Sequence, residues 1–258
     1  MTPLVRLHDL SVTYPRTSRP ALDRVTLDLM QGEKLAVIGE SGSGKSTLAR
    51  ALLDLLPPGT RRAGRLDWTD SPPQPGRDVG YVFQDPGASL NPVLSIGAQL
   101  VEVLRTHLPL TRRAAKTRAI DLLDRVRIPD PALAVAGFPH QFSGGQRQRI
   151  AIALAIAAGP KLLIADEPTS ALDMVVQAEI VALLTRLVDE DGMTLLFITH
   201  DIALASGLAD RVAVFHDARL VETGAAAQVI GAPQADYTRT LVATHIDLET
   251  PVLIGSAP

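Results

Sequence analysis

Leu35-Ala36-Val37-Ile38 is an unbroken apolar run that stops at Gly39, the pattern of a strand buried on both faces of a parallel sheet. A Gly/Ser-rich stretch follows. Then Leu48, Ala51, Leu52, Leu55 and Leu56 recur at helical spacing until Pro57-Pro58-Gly59 stops them. Further apolar runs at Gly80–Phe83, Leu162–Ala165, Leu195–Ile198 and Val212–Phe215 read as strands. A helix with Val176, Ile180, Leu183, Leu184 and Leu187 turned inward is predicted between the second and third of these. Residues 4–37 read as short alternating strands, broken by the turn-rich Pro15–Pro20 segment after the β-prone Val12-Thr13-Tyr14. Residues 60–79, rich in proline and arginine, read as a short hairpin or loop. The stretch 86–160 looks mainly helical, with Arg112, Arg113, Lys116 and Arg118 on a solvated face and Leu122, Leu123 and Val126 inward. Strands alternating with helices predict an α/β fold with a parallel sheet, and the long helical stretch reads as an inserted subdomain.

Composition narrows the function more than the fold. With 46% hydrophobic and 21% charged residues, the 258-residue chain can bury a sizeable core, and disorder is not expected. A net charge of -3 gives no electrostatic reason to expect nucleic acid. The absence of cysteine excludes disulfides, thiolate metal sites and a Cys nucleophile. Met1–Leu10 carries Arg6, His8 and Asp9 and no apolar core, so no secretory leader is expected there. The longest strongly apolar uncharged run, Ile150–Pro160, is far short of the roughly 20 residues of a membrane helix. Any membrane passage must come from other chains.

Three segments carry chemistry. Gly39-Glu40-Ser41-Gly42-Ser43-Gly44-Lys45-Ser46 fits G-x-x-x-x-G-K-[ST] at every fixed position, between a buried strand and an amphipathic helix. Such a loop turns backbone N–H groups toward phosphate oxygens, and the positive end of the following helix faces the same anion. Lys45 can reach the terminal phosphates and the Ser46 hydroxyl can ligate Mg²⁺. Leu162–Glu167 is an apolar strand ending in two carboxylates. Asp166 is suited to hold Mg²⁺ and Glu167 to polarise an attacking water, although alone the pair could simply mark a strand leaving the core. Ser143-Gly144-Gly145-Gln146 has the Ser and Gln of a capping box, which suffices to explain a helix start. It is equally a second anion site at a helix N-terminus, in a chain whose single phosphate loop does not need two.

These segments together resemble the ATP-binding-cassette ATPases, and the resemblance spans residues 4–245. It implies a P-loop (RecA-like) parallel-sheet core at about 4–85 and 161–230, with an N-terminal antiparallel β subdomain. It further implies an inserted α-helical subdomain at about 86–160 and a short C-terminal extension at 231–258. By that resemblance, nucleotide is held by Gly39, Glu40, Ser41, Gly42, Ser43, Gly44, Lys45, Ser46 and Thr47, with Tyr14 stacking on adenine. Mg²⁺ is held by Ser46, Gln84 and Asp166, and catalysis falls to Glu167, His200, Gln84 and Lys45. Ser143, Gly144, Gly145 and Gln146, preceded by Phe142 where Leu is commoner, look like the signature that closes on nucleotide held by a partner ATPase. Ser170, Ala171, Leu172 and Asp173 resemble the loop that crosses the dimer interface.

A narrower resemblance rests on Phe83-Gln84-Asp85-Pro86, Ser89-Leu90-Asn91-Pro92, Phe138-Pro139-His140-Gln141 and Asp236-Tyr237-Thr238-Arg239. These look like the dipeptide, oligopeptide and nickel importer ATPases. The resemblance implies ATP hydrolysis coupled to import of peptides or metal chelates, at the cytoplasmic face of a membrane. The implied partners are a second ATPase subunit (a paralogue or another copy), two membrane permeases and, indirectly, an extracytoplasmic solute-binding protein. The alternative from another class is a subunit of a phosphonate-cleaving complex, whose members look similar in sequence.

Overall fold

Alternating burial builds two long strands at the start of the chain, β1 (Pro3–Thr13) and β2 (Leu22–Met30), in place of the short strands expected. They pair antiparallel, with Val12 opposite Leu22, and the chain turns between them through the Pro15–Pro20 break. The structure, a computed structural model, describes residues 2–170 and 172–249. β3 (Lys34–Ile38) leads into α1 (Lys45–Leu52). This helix ends earlier than its apolar spacing predicts. Asp54 adopts φ 55°, its N–H bonds Ala51 O, and the Leu55 N–H reaches Arg50 O at 2.9 Å. That is the double closure of a Schellman turn, with Asp where Gly is usual. Leu55, which continues the helical spacing in the sequence, is 49% exposed.

The segment expected to form a hairpin or loop instead supplies β4 (Arg61–Trp68), which pairs antiparallel with β1 from Val5↔Trp68 to Thr13↔Arg61. None of its residues is fully buried, and only Leu66 and Trp68 at its end alternate as half-buried apolar positions, too short a pattern to betray a strand. β5 (Val79–Val82) follows, then the helical stretch: α2 (Pro86–Ser89), α3 (Ile96–His107), α4 (Arg112–Arg125), α5 (Pro131–Ala134), a 3-10 turn at Pro139–Gln141, and α6 (Gly144–Ile156). The rest is β6 (Leu162–Asp166), α7 (Met174–Asp191), β7 (Thr194–Ile198), α8 (Ile202–Leu208), β8 (Arg211–His216), β9 (Arg219–Ala225), α9 (Ala226–Gly231) and α10 (Asp236–Glu249).

Two sheets result. One is antiparallel, in the order β2-β1-β4. The other has six strands in the order β5-β6-β7-β3-β8-β9, parallel except for β9. Helical insertion and six-stranded sheet share a core in which Leu163, Ala165, Leu195 and Phe197 meet α3, α4, α6 and α7. The opposite face, with Leu35, Val37, Ile164, Leu196 and Ile198, packs on the antiparallel sheet and α1. Both faces are therefore buried, which is why these strands read as unbroken apolar runs. Burying a side chain such as Phe197 completely is worth roughly 1.5–3 kcal/mol.

An ion pair with a buried carboxylate ties the turn after β2 to the start of β8, the strand beside β3. Arg211 Nη1 donates to both Glu33 oxygens, at 3.1 and 3.0 Å, and to Asp28 O, while Glu33 is 2% exposed. Among the described residues no helix is long and apolar enough to cross a membrane.

Candidate active site

Four adjacent parallel strands, β5, β6, β7 and β3, end on one edge of the sheet. Register fixes the alignment: Val82 lies opposite Ala165, Asp166 opposite Ile198, and Ile198 opposite Val37. Residues just beyond these ends are thereby gathered from distant parts of the sequence, where open α/β sheets bind ligands. They are Gln84 after β5, Asp166 and Glu167 at the end of β6, His200 after β7, and the Gly39–Ser46 loop after β3.

The loop is built around its lysine. Lys45 is 5% exposed, and its amine donates to the carbonyls of Gly39 and Glu40 at 2.7 and 2.8 Å. Burial pushes its pKa down, while the charges of Glu167, Asp166 and Glu40 oppose that shift. Gly44 sits at φ 107°, and a Cβ there would lie 2.4 Å from Ala21 O, so no other residue fits. Gly44 is also the N-cap of α1 and offers no side chain to the helix. The first N–H groups of α1 thus have neither intrahelical partners nor a capping side chain, an arrangement suited to an anion.

The carboxylates are held individually. Asp166, 6% exposed, accepts from the Ser46 hydroxyl at 3.0 Å on one oxygen and from the Tyr81 hydroxyl at 2.7 Å on the other. Burial and the Asp166 charge push the Tyr81 phenol well above its usual range, so it remains a donor. Glu167 accepts from Gln84 Nε2 at 3.1 Å, and its other oxygen lies 3.7 Å from His200 Nδ1. Glu167 has φ 47°, a left-handed conformation that costs a non-glycine residue about 1–3 kcal/mol and clusters at functional sites. Its N–H is anchored to Ile198 O at 2.9 Å.

Ser46, Asp166 and Gln84 offer hydroxyl, carboxylate and amide oxygens, the hard donors that Mg²⁺ takes. Among the described residues no group of three His, Cys, Asp or Glu is placed to hold a metal.

Beside the loop lies a cavity of about 480 Å³ lined by Tyr14, Arg19, residues 40–43 of the loop and residues 216–218. The Tyr14 hydroxyl is 3.0 Å from Thr47 Oγ1, which joins the expected aromatic to the end of the phosphate loop.

Ser143–Gln146 stands apart from this cluster, at the start of α6. The capping box forms as read: Gln146 N–H donates to Ser143 Oγ at 3.3 Å and Ser143 N–H to Gln146 Oε1 at 2.9 Å. Gly145 is also a packing glycine, because a Cβ there would lie 2.8 Å from Val176 Cγ1. Leu172 packs near Gly144, Ser170 is exposed, and Asp173 caps α7 by accepting from Val176 N–H at 3.0 Å. Ala171 lies outside the described residues.

Two contributors escaped sequence reasoning. Tyr81 was visible only as a strand residue, although a tyrosine within a buried apolar run needs a partner for its hydroxyl. His216 ends the strand β8 as His200 follows β7, and only the fold brings it to the cavity wall.

Residues 22–170 match the sequence model of the family described as ABC transporter. The oligopeptide transport ATP-binding protein OppD of Bacillus subtilis (strain 168) is 41% identical over 264 residues, covering 97% of this chain and 74% of that protein. The dipeptide transport ATP-binding protein DppD of Escherichia coli (strain K12) is 42% identical over 252 residues, covering 93% and 77%. Among solved structures, the dimeric post-hydrolysis state of the ATP-binding cassette MJ0796 bound to ADP and Pi aligns with a TM-score of 0.74 at 29% identity, over 86% of this chain and 98% of that one. The family match and the relatives agree, and the chain belongs to the ABC transporter family.

Proposed function

We propose that this chain is the ATP-hydrolysing subunit of a membrane importer of short peptides, peripheral to the cytoplasmic face. The observation that carries the reading is the meeting of Lys45, Asp166, Glu167, Gln84 and His200 on one sheet edge. In this reading the phosphates of ATP lie along the Gly39–Thr47 backbone, where the Lys45 amine exchanges its carbonyl partners for phosphate oxygens. Ser46, Asp166 and Gln84 would hold Mg²⁺, which when bound would neutralise phosphate charge. Glu167 orients and polarises the attacking water, and His200 steadies the terminal phosphate. Catalysis is then positioning and charge stabilisation, without a covalent intermediate.

Adenine stacks on Tyr14. Ser143–Gln146 and Ser170–Asp173 serve a partner ATPase, either a paralogue or a second copy. An apolar groove of about 420 Å³ beside β5 and α3, where Leu55 and Phe83 are about half exposed, is the surface offered to membrane permeases. The names of the relatives OppD and DppD favour peptides as cargo over nickel.

The test is reconstitution of the chain with its permeases in a bilayer, with phosphate release measured as solute-binding proteins loaded with dipeptide, oligopeptide or nickel chelate are added. Peptide-loaded protein is expected to stimulate hydrolysis. Stimulation by the nickel chelate alone would refute the peptide assignment.

A further inference from the structure

The segment Asp236-Tyr237-Thr238-Arg239 has no part in the chemistry described above, yet it is anchored with care. Backbone N–H groups of Gln234 and Ala235 donate to Glu222 of β9 at 2.9 and 3.0 Å, and Arg239 donates to the carbonyls of Pro233 and Gln234. Thr238 is fully buried. This fixes the start of α10 against the sheet and aims one side chain, Tyr237, back across it. The Glu40 N–H donates to the Tyr237 hydroxyl at 3.3 Å. The Tyr237 ring stacks on His216 with centroids 3.9 Å apart and planes tilted by 24°.

Both contacts end at the nucleotide cavity. Glu40 is the second residue of the phosphate loop. Its carbonyl already receives the Lys45 amine and the Ser43 N–H, so the residue's backbone is held at its carbonyl from within the loop and at its N–H by Tyr237. His216 lines the wall of the cavity that Tyr14 also lines. We infer that Tyr237 is a positioning residue for nucleotide capture: its hydroxyl holds the start of the phosphate loop at Glu40, and its ring backs His216 in the nucleoside wall. The inference rests on reading Gly39–Thr47 as the nucleotide site. It makes α10 part of that site, 197 residues along the chain from the loop it steadies.

The two contacts act on different parts of the ligand, so two probes separate them in the full-length chain: ATP and inorganic tripolyphosphate, which has no base. Tyr237→Phe keeps the ring and removes only the hydroxyl. It should weaken both probes about threefold, the scale of one neutral hydrogen bond, and raise KM for ATP with kcat within about twofold. His216→Ala should weaken ATP by a similar factor and leave tripolyphosphate unchanged. Tyr237→Ala should show both losses, and adding His216→Ala to it should cost less than in the wild-type background, because the stack is already gone.

Wild-type affinity for both probes in Tyr237→Phe overturns the role, as does a loss confined to ATP. Lys45→Ala is the control. Normal tripolyphosphate binding by Lys45→Ala would sink the nucleotide-site reading itself. Loss of binding there, with none in Tyr237→Phe, would sink only the positioning role.

Discussion

The chain starts two helices from glycine-rich turns, and the two starts are finished differently. At α1 the N-cap is Gly44, in a left-handed conformation and without a capping side chain. At α6 the N-cap is Ser143, and a reciprocal box with Gln146 satisfies the N–H groups of both residues. An uncapped helix start beside a buried lysine leaves its electrostatic demand to be met by an anion. A capped start beside exposed Ser143 is already stable and lends what remains of its field to whatever approaches from outside. The first arrangement suits a site that holds its ligand; the second suits a surface that closes over a ligand held elsewhere. The distinction also predicts that lesions at the two starts differ in kind: those at the loop and its carboxylates disable this chain's own site, and those at α6 disable the partner's.

The largest effect should come from Glu167→Gln. The amide is nearly the same size and still meets Gln84 and His200, but it cannot take up a proton. Phosphate release by the assembled complex should fall by about 10²–10⁴-fold, the range for a general base, while ATP binding persists. Normal turnover would remove Glu167 from its role. Lys45→Ala comes next. It strips the loop of its cation and opens the two carbonyl bonds at Gly39 and Glu40. Nucleotide affinity should fall by about tenfold or more, since hydrogen bonds to a charged group contribute about 1.5–3 kcal/mol, and calorimetric titration measures it directly. Unaltered affinity would break the contrast between the two helix starts on its stronger side.

Ser143→Ala probes the other start. Loss of the cap should cost roughly 1 kcal/mol of stability, seen in thermal melts. In a mixed dimer carrying the change in one chain only, the site completed by the altered α6 should slow while the altered chain's own site binds ATP as before. If both sites slowed equally, the assignment of α6 to a partner would be lost.

Much of this was legible in the sequence because the chemistry sits at ends of apolar runs. Leu35–Ile38, Leu162–Ala165 and Leu195–Ile198 announce three buried strands, and the residues that follow each run are the ones the fold gathers. What was not legible depended on partners far away in sequence. β4 is an edge strand without a buried side chain, so no local pattern distinguishes it from a loop until β1 lies beside it. The end of α1 hides in the same way: Leu55 and Leu56 continue the helical spacing, but Asp54 turns the chain first. Tyr81 and Tyr237 were hidden because a tyrosine in a strand or helix is ordinary until its hydroxyl has a named acceptor or donor. One is bonded to Asp166, 85 residues away, and the other to Glu40, 197 residues away.

Tyr81→Phe is the finest test of the loop side. It keeps the ring, and with it the tilted contact with Phe83 at 4.3 Å, and removes only the donor to Asp166 Oδ2. Asp166 then keeps the Ser46 hydroxyl on its other oxygen, so the carboxylate stays in place but is free to rotate about one anchored oxygen. Metal binding suffers from that freedom more than phosphate binding does, because a metal demands a fixed oxygen position whereas the loop backbone holds phosphate independently of Asp166. The Mg²⁺ concentration for half-maximal hydrolysis should therefore rise about threefold, one hydrogen bond's worth, with metal-free nucleotide affinity unchanged. An unchanged Mg²⁺ requirement would mean that Tyr81 serves the strand alone, and that Ser46 suffices to orient the carboxylate.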